Sequence, residues 1–145
     1  MDFFTAMDLS ASALGAQRMR MNVISSNLAN IHSTKTPEGG PYQKREVVFS
    51  AVPVKKSFGD ELQDAMNGSI RQCEVTDVVK SQAPFRKVFN PHHPHADAEG
   101  YVSMPNVELV TEMANMMDAS RAYEANLAAI DTAKNMAMKA LEIGR

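Results

Sequence analysis

The residues with the greatest chemical capacity crowd into one short run, FNPHHPHADAEGYV, where His92, His93, His95, Asp97 and Glu99 follow closely on one another. Imidazoles and carboxylates are the donors that zinc or a similar metal takes. The scaffold is wrong for it: Pro91 and Pro94 interrupt the run, and no helix aligns the rings. A calcium loop fails as well. With Glu99 in the fifth position ahead of Gly100, His95 falls at the first and Asn106 at the twelfth, where an acid and a bidentate Glu belong. The run reads as a solvated turn leading into the strand GYVSM. The alternative is a small metal-dependent enzyme or metal-binding protein using the His92–Glu99 loop.

Other chemistry is sparser still. Cys73 is the single cysteine; it permits no internal disulfide and has no evident base beside it, so it reads as a small packed or half-exposed side chain rather than a nucleophile. Glu108 and Glu112 share one helix face and read as solvated acids near a helix start. TPEGGPY has adjacent glycines, but its two prolines and the lack of a following GK[ST] make it a turn rather than a phosphate cradle. No nucleophile elbow, phosphate loop or metalloprotease helix is present. Neither a catalytic constellation nor a cofactor is expected.

The elements that would position any site divide the chain sharply. All seven prolines lie between Pro37 and Pro105, whereas nine of the eleven methionines lie outside that stretch, in segments suited to an unbranched helix former. The order is helix, β-rich middle, helix. In the first segment Phe3, Met7, Ser10, Leu14, Gln17, Met21, Ile24, Leu28 and Ile31 step alternately by four and three. In the last, Leu109, Met113, Met116, Ser120, Tyr123, Leu127, Ile130, Lys134, Ala137 and Leu141 do the same. Both fit a seam of period 3.5. Pro105 and Asn106 supply a start signal for the second helix, Glu108 and Glu112 suit its first turns, Lys139 and Arg145 suit its end, and Gly144 is a candidate C′ residue. Between the helices, REVVFSAVPV, SIRQCEVTDVV and FRKVF are β-like runs separated by turns.

These patterns predict a mainly α fold with a small β part: long N- and C-terminal helices paired as an antiparallel coiled-coil-like hairpin around a short, β-hairpin-rich middle. The expected parts are 1–31, 32–104 and 105–145. A helix over Val107–Ile143 would be about 55 Å long, whereas a compact globule of this size is about 40 Å across. Each helix also carries a second apolar row, Ala6, Leu9, Ala13, Ala16 and Val23 on the first and Val110, Ala114, Met117, Ala125 and Ala128 on the second. Two helices cannot cover two rows each, so the surplus predicts packing against other subunits. The formal net charge of −2 and the absence of a basic run argue against nucleic acid as a partner. No apolar run is long enough to span a membrane, and the N-terminus lacks the pattern of a cleaved secretory signal.

Two stretches resemble a known family. SSNLANIHSTKTPEGGPYQKREVVF is similar to the N-terminal signature of the flagellar basal-body rod proteins, and GYVSMPNVELVTEMANMMDASRAYEANLAAIDTAKNMAMKALEIGR to their C-terminal signature. The matching motif positions are Asn27, Leu28, Ala29 and Asn30; Thr36, Pro37, Glu38, Gly39, Gly40, Pro41 and Tyr42; and Arg121, Ala122, Tyr123, Glu124, Ala125 and Asn126. The resemblance implies a minimal structural subunit of the periplasmic rod, the drive shaft from motor to hook. It implies export by the flagellar type III apparatus without a cleaved signal. It also implies partners in other copies of the chain, in rod proteins such as FlgB, FlgF and FlgG, and in the adaptor FliE. Helix pairing with neighbours makes the expected assembly interface Phe3, Met7, Leu14, Met21, Ile24, Leu28, Ile31, Leu109, Met113, Met116, Tyr123, Leu127, Ile130 and Leu141. One departure stands in the histidine run: the family commonly carries HPDAD there, so His93 and Pro94 match while His95 replaces an Asp.

Overall fold

The computed structural model describes residues 3–53 and 70–144. Helix α1 runs over Phe3–Ala29, strand β1 over Arg45–Pro53, β2 over Arg71–Lys80, β3 over Arg86–Phe89, β4 over Tyr101–Met104, and helix α2 over Leu109–Ile143. This is the expected mainly α architecture with two small antiparallel β-hairpins in its middle. The β-like runs REVVFSAVPV, SIRQCEVTDVV and FRKVF become β1, β2 and β3, except that Val54 and Ser69 lie outside the described residues, as does Arg145. At 35 residues, α2 is about 52 Å long.

β1 pairs with β2 from Arg45↔Lys80 to Pro53↔Arg71, and the register shifts at Val48/Phe49, where Thr76 is the extra residue. Its hydroxyl donates to Ser50 Oγ at 2.6 Å. β3 pairs with β4 from Arg86↔Met104 to Phe89↔Tyr101. A two-stranded hairpin is marginal by itself; β1 and β2 obtain their support by packing on α1, which also packs along α2. Gly100 closes the β3–β4 connection with φ +81°, and a Cβ there would meet Phe89 Cε2 at 2.9 Å, so both conformation and space demand glycine.

The helix ends depart from the sequence signals. Helix α2 starts at Leu109 behind Glu108 in an extended conformation (φ −105°, ψ 118°), so Asn106 is not its cap. The Asn106 side chain instead accepts from Lys44 N at 2.8 Å and donates to Ala83 O at 3.0 Å, tying three segments together. At the other end Gly144 has φ −84° and is not a left-handed C′ residue; its N–H donates to Ala140 O at 3.3 Å. α1 stops where the Asn30 side chain donates back to Ser26 O at 2.9 Å and accepts from Ser33 Oγ at 3.1 Å.

The interior is thin. Among the described residues its buried apolar members are Ala16, Ile24, Tyr42, Val102, Val107, Ala119 and Ala133, three of them alanines. The accessible surface of 10400 Å² exceeds by about 3,000 Å² the roughly 7,400 Å² of a compact monomer of this mass.

Candidate assembly interface

A buried polar junction sits where the C-terminal end of α1, the start of β1 and the first turn of α2 converge. Asn27 is 1% exposed. Its Nδ2 donates to Arg45 O at 2.8 Å and to Glu112 Oε2 at 3.0 Å, while its Oδ1 accepts from Arg45 N and from Tyr42 OH, both at 3.0 Å. All four hydrogen-bonding positions of the amide are filled. Glu112, equally buried, holds Lys44 Nζ at 3.1 Å through its other oxygen, and Lys44 reaches Glu46 at 3.2 Å. Burial pushes the Lys44 ammonium down, but the Glu112 and Glu46 carboxylates outweigh it and hold Lys44 above its ordinary pKa. Glu112 is therefore not the solvated acid its position suggested, whereas Glu108 is exposed.

TPEGGPY reaches this junction through Tyr42. Thr36 N and Oγ1 both donate to Gly40 O, at 2.9 and 3.2 Å, and Tyr42 N donates to Ser33 O at 2.9 Å. Gly39 and Gly40 have φ +87° and +80° with open space around them, so conformation alone calls for glycine there. Glu38, on the exposed edge, accepts from Lys80 Nζ at 2.6 Å, which lowers its pKa. Motif residues 15 positions apart in sequence thus meet: Tyr42 OH of TPEGGPY donates to Asn27 Oδ1 of SSNLAN in the interior.

Along the helix pair the expected interface residues split by helix. On α1, Ile24 is buried and Phe3, Met7, Leu14, Met21 and Leu28 are half-buried, as is Ile31 in the turn just beyond its end. On α2, Met116, Tyr123 and Ile130 are half-buried, but Leu109, Met113, Leu127 and Leu141 are exposed, as are Val110, Met117, Met136, Met138 and Ile143. The buried positions of α2 are Glu112, Ala119 and Ala133. The most deeply buried positions of α2 are thus small or polar, Met116, Tyr123 and Ile130 are partly covered, and nine of its large apolar side chains are left exposed. Taking on the order of 180 Å² per residue, those nine exposed side chains present about 1,000 Å², comparable to one partner's share of an ordinary interface. Near the free end of the pair, Phe3, Phe4 and Ala6 line an apolar groove with Ala133, Met136, Ala137, Ala140 and Leu141.

The remaining motif positions lie around these features. Ala29, Pro37, Arg121, Glu124 and Ala125 are exposed, and Asn30, Thr36, Pro41, Ala122 and Asn126 half-buried. Asn126 Nδ2 donates to Ala122 O at 2.8 Å inside the helix. The histidine run is folded on itself rather than splayed: His95 N donates to His93 Nδ1 at 3.1 Å, and His95 Nδ1 lies 2.9 Å from Thr34 Oγ1. Among the described residues no three His, Cys, Asp or Glu side chains are grouped to hold a metal ion, and no helix is long and apolar enough to cross a membrane.

Comparison with known proteins accounts for this layout. The family described as "Flagella basal body rod protein" matches residues 7–35, and "Flagellar basal body rod FlgEFG protein C-terminal" matches residues 98–143. The flagellar basal-body rod protein FlgC of Escherichia coli O6:H1 is 43% identical over the full length of both chains. This chain belongs to the FlgC family of flagellar basal-body rod proteins. Its FlgC relatives in Bacillus subtilis, 41% identical over the whole of both chains, and Borreliella burgdorferi, 39% identical over 99% of this chain and 98% of that one, are similarly complete matches. The two matched regions of this FlgC-family chain contain nearly all of α1 and the whole of α2, the elements that carry the surplus apolar surface.

The polar junction is the part that pattern reading missed. A signal for it existed: Glu112, Ala119, Asn126 and Ala133 are spaced by seven, a small and polar heptad stripe running beside the apolar one. α2 buries this stripe against the face of α1 that carries Ala16, Ile24 and Asn27.

Proposed function

We propose that this structural rod subunit assembles through its two terminal helices, with the exposed apolar side of α2 and the free-end groove seated against helices of neighbouring subunits. The observation that supports it is the inversion on α2, where alanines and a carboxylate face inward and nine large apolar side chains face outward. Neighbours would be other copies of the chain and other rod components such as FlgB, FlgF, FlgG and FliE. The reading places the chain in the periplasmic part of the basal body, reached through the flagellar type III export apparatus without a cleaved signal. The residues proposed for the interface are those expected from the sequence other than Ile24, which is buried within the chain, with Val110, Met117, Met136, Met138 and Ile143 added by their exposure.

The role is mechanical rather than catalytic in this reading. Torque passes between subunits through many dry helix–helix contacts, so no one side chain carries it. Complementation tests the proposal: a strain lacking this chain regains motility and a complete rod with the native chain. Polar replacement of exposed α2 residues leaves the chain folded but absent from purified basal bodies. Retention of such variants at normal amounts would refute it.

A further inference from the structure

The contact between α1 and α2 has little apolar relief to define its axial register. Its buried aliphatic members are Ala16 and Ile24 on α1 and Ala119 and Ala133 on α2. Half-buried Ala122 and Ala137 flank the last two. Methyl groups form shallow ridges, and a slide of one turn, about 5.4 Å, replaces one alanine contact by the next along the same stripe. The larger side chains of the pair, Phe3, Met7, Leu14 and Met21 on α1 and Met116, Tyr123 and Ile130 on α2, are only half-buried.

The polar pair is different. Asn27 and Glu112 are the most deeply buried polar side chains described, each 1% exposed, and they bond to each other at 3.0 Å. A slide of one turn in one direction brings Met116 to the Asn27 amide. In the other it carries the Glu112 carboxylate inward to the level of Val23 and Ile24, away from Lys44 Nζ. Either move strands a buried acceptor or donor that nothing apolar can satisfy. Asn27 also holds Arg45 through both its N–H and its carbonyl, so the same side chain sets β1 against the helix pair.

We infer that Asn27 and Glu112 form a register key: they select, from several axial settings the alanine faces tolerate, the one that aligns α2 with α1 and with the β1–β2 hairpin. They are positioning residues, and what they position is the outward apolar stripe of α2. The inference goes beyond the rod assignment and is read on the isolated full-length chain, whereas motility and basal-body content read the assignment itself.

The test is a distance. Cys73→Ser removes the native thiol, and Ser25→Cys with Asp131→Cys, both at exposed positions within the anchored part of the helix pair, carry spin labels for double electron–electron resonance. In the frame set by the Asn27–Glu112 contact, Ser25 lies level with position 114, so the labels are offset along the axis by about 26 Å, and a one-turn slip changes that offset by about 5 Å. The labelled chain with its junction intact gives one distance. Glu112→Leu with Lys44→Met removes the charge pair together and leaves Asn27 its bonds to Tyr42 and Arg45; it keeps its helix content by circular dichroism and shows a second distance population. Glu112→Gln alone, whose carbonyl still accepts from Asn27, restores the single distance. A single unchanged distance in the double variant overturns the inference, as does loss of its helix content, which would make the pair a source of stability rather than of selection. Two populations in the intact-junction chain, or in Glu112→Gln, overturn it equally.

Discussion

Leu127→Asp separates folding from assembly because Leu127 is 45% exposed on the outer side of α2. In the free chain the substitution exchanges a half-exposed leucine for a hydrated carboxylate, which costs on the order of 0.5–1 kcal/mol, chiefly helix propensity and lost partial burial. In an assembled rod the remaining exposed surface would be covered. Full burial of a leucine is worth about 1.5–3 kcal/mol, so covering the remaining 45% is worth about 1 kcal/mol. The carboxylate forfeits that gain and adds at least ~2 kcal/mol of desolvation without a partner. A loss near 3 kcal/mol per contact weakens each subunit–subunit association about 100-fold or more.

The assay is the amount of chain in purified basal bodies, by quantitative immunoblot, beside the circular dichroism of the free variant. The expected result is near-native dichroism with little incorporated chain and loss of swarming. Leu127→Ala, which forfeits only the apolar part, incorporates at a reduced level. Ile130→Asp makes the contrast, since Ile130 is half-buried within the chain and its replacement lowers the stability of the free protein as well. Normal incorporation of Leu127→Asp would refute the placement of this face in the interface.

Three glycines make a matched comparison. Gly100→Ala destabilises by about 2 kcal/mol or more, because it adds a contact at 2.9 Å to a φ of +81°, whereas Gly39→Ala, strained at φ +87° but open, costs about 1 kcal/mol, as urea denaturation would measure. Equal costs at the two positions would contradict the assigned crowding by Phe89; Gly40→Ala should behave as Gly39→Ala. The Lys44 pair gives an alkaline signature. Its folded pKa is raised above the ordinary 10.5, so its stabilisation is complete below pH 10.5 and is lost as pH rises through the folded value. Native protein minus Lys44→Met, compared by urea midpoint across pH 8–11.5, shows a difference that shrinks only at the alkaline end; a difference that shrinks near neutrality would contradict the assignment.

Much of this architecture was legible in the residues, and the illegible part has a physical reason. The confinement of proline to the middle marked both long helices, and alternation marked β1, β2 and β3. Period alone could not say which arc of α2 meets α1, since a 3.5-residue apolar stripe describes a face and not its occupant. The arc that α2 buries carries Glu112, Ala119 and Ala133. Asn106 looked like a helix start because it follows Pro105, yet a side-chain amide satisfies distant backbone as readily as its own, and here it serves Lys44 and Ala83. Glu112 looked solvated because first-turn acids usually are; burial became affordable only with Asn27 and Lys44 brought in from 85 and 68 positions away in sequence, which no local window contains.

The distribution of burial along α2 also fixes where its order comes from. Its first turn is anchored at Glu112, and its last buried residue is Ala133. Beyond that, Met136, Met138, Leu141 and Ile143 are 62%, 52%, 76% and 87% exposed. Ordering each residue costs about 1–2 kcal/mol of backbone entropy, and helical hydrogen bonds open to water offset only part of it. The amides after Ala133 should therefore open with free energies near zero in the free chain, while those around Asn27 and Glu112 open only near the global limit. When neighbours cover the four exposed side chains, each recovers on the order of 1 kcal/mol or more, enough over the last turns to reverse that balance. Hydrogen–deuterium exchange read by mass spectrometry should show the peptide 134–144 exchanging within seconds in the isolated chain and strongly protected in purified basal bodies. Equal protection of that peptide and of the Glu112 region in the free chain would show that α2 needs no neighbour to be ordered to its end. Fast exchange persisting in the assembled rod would show that the tail is not part of the contact at all.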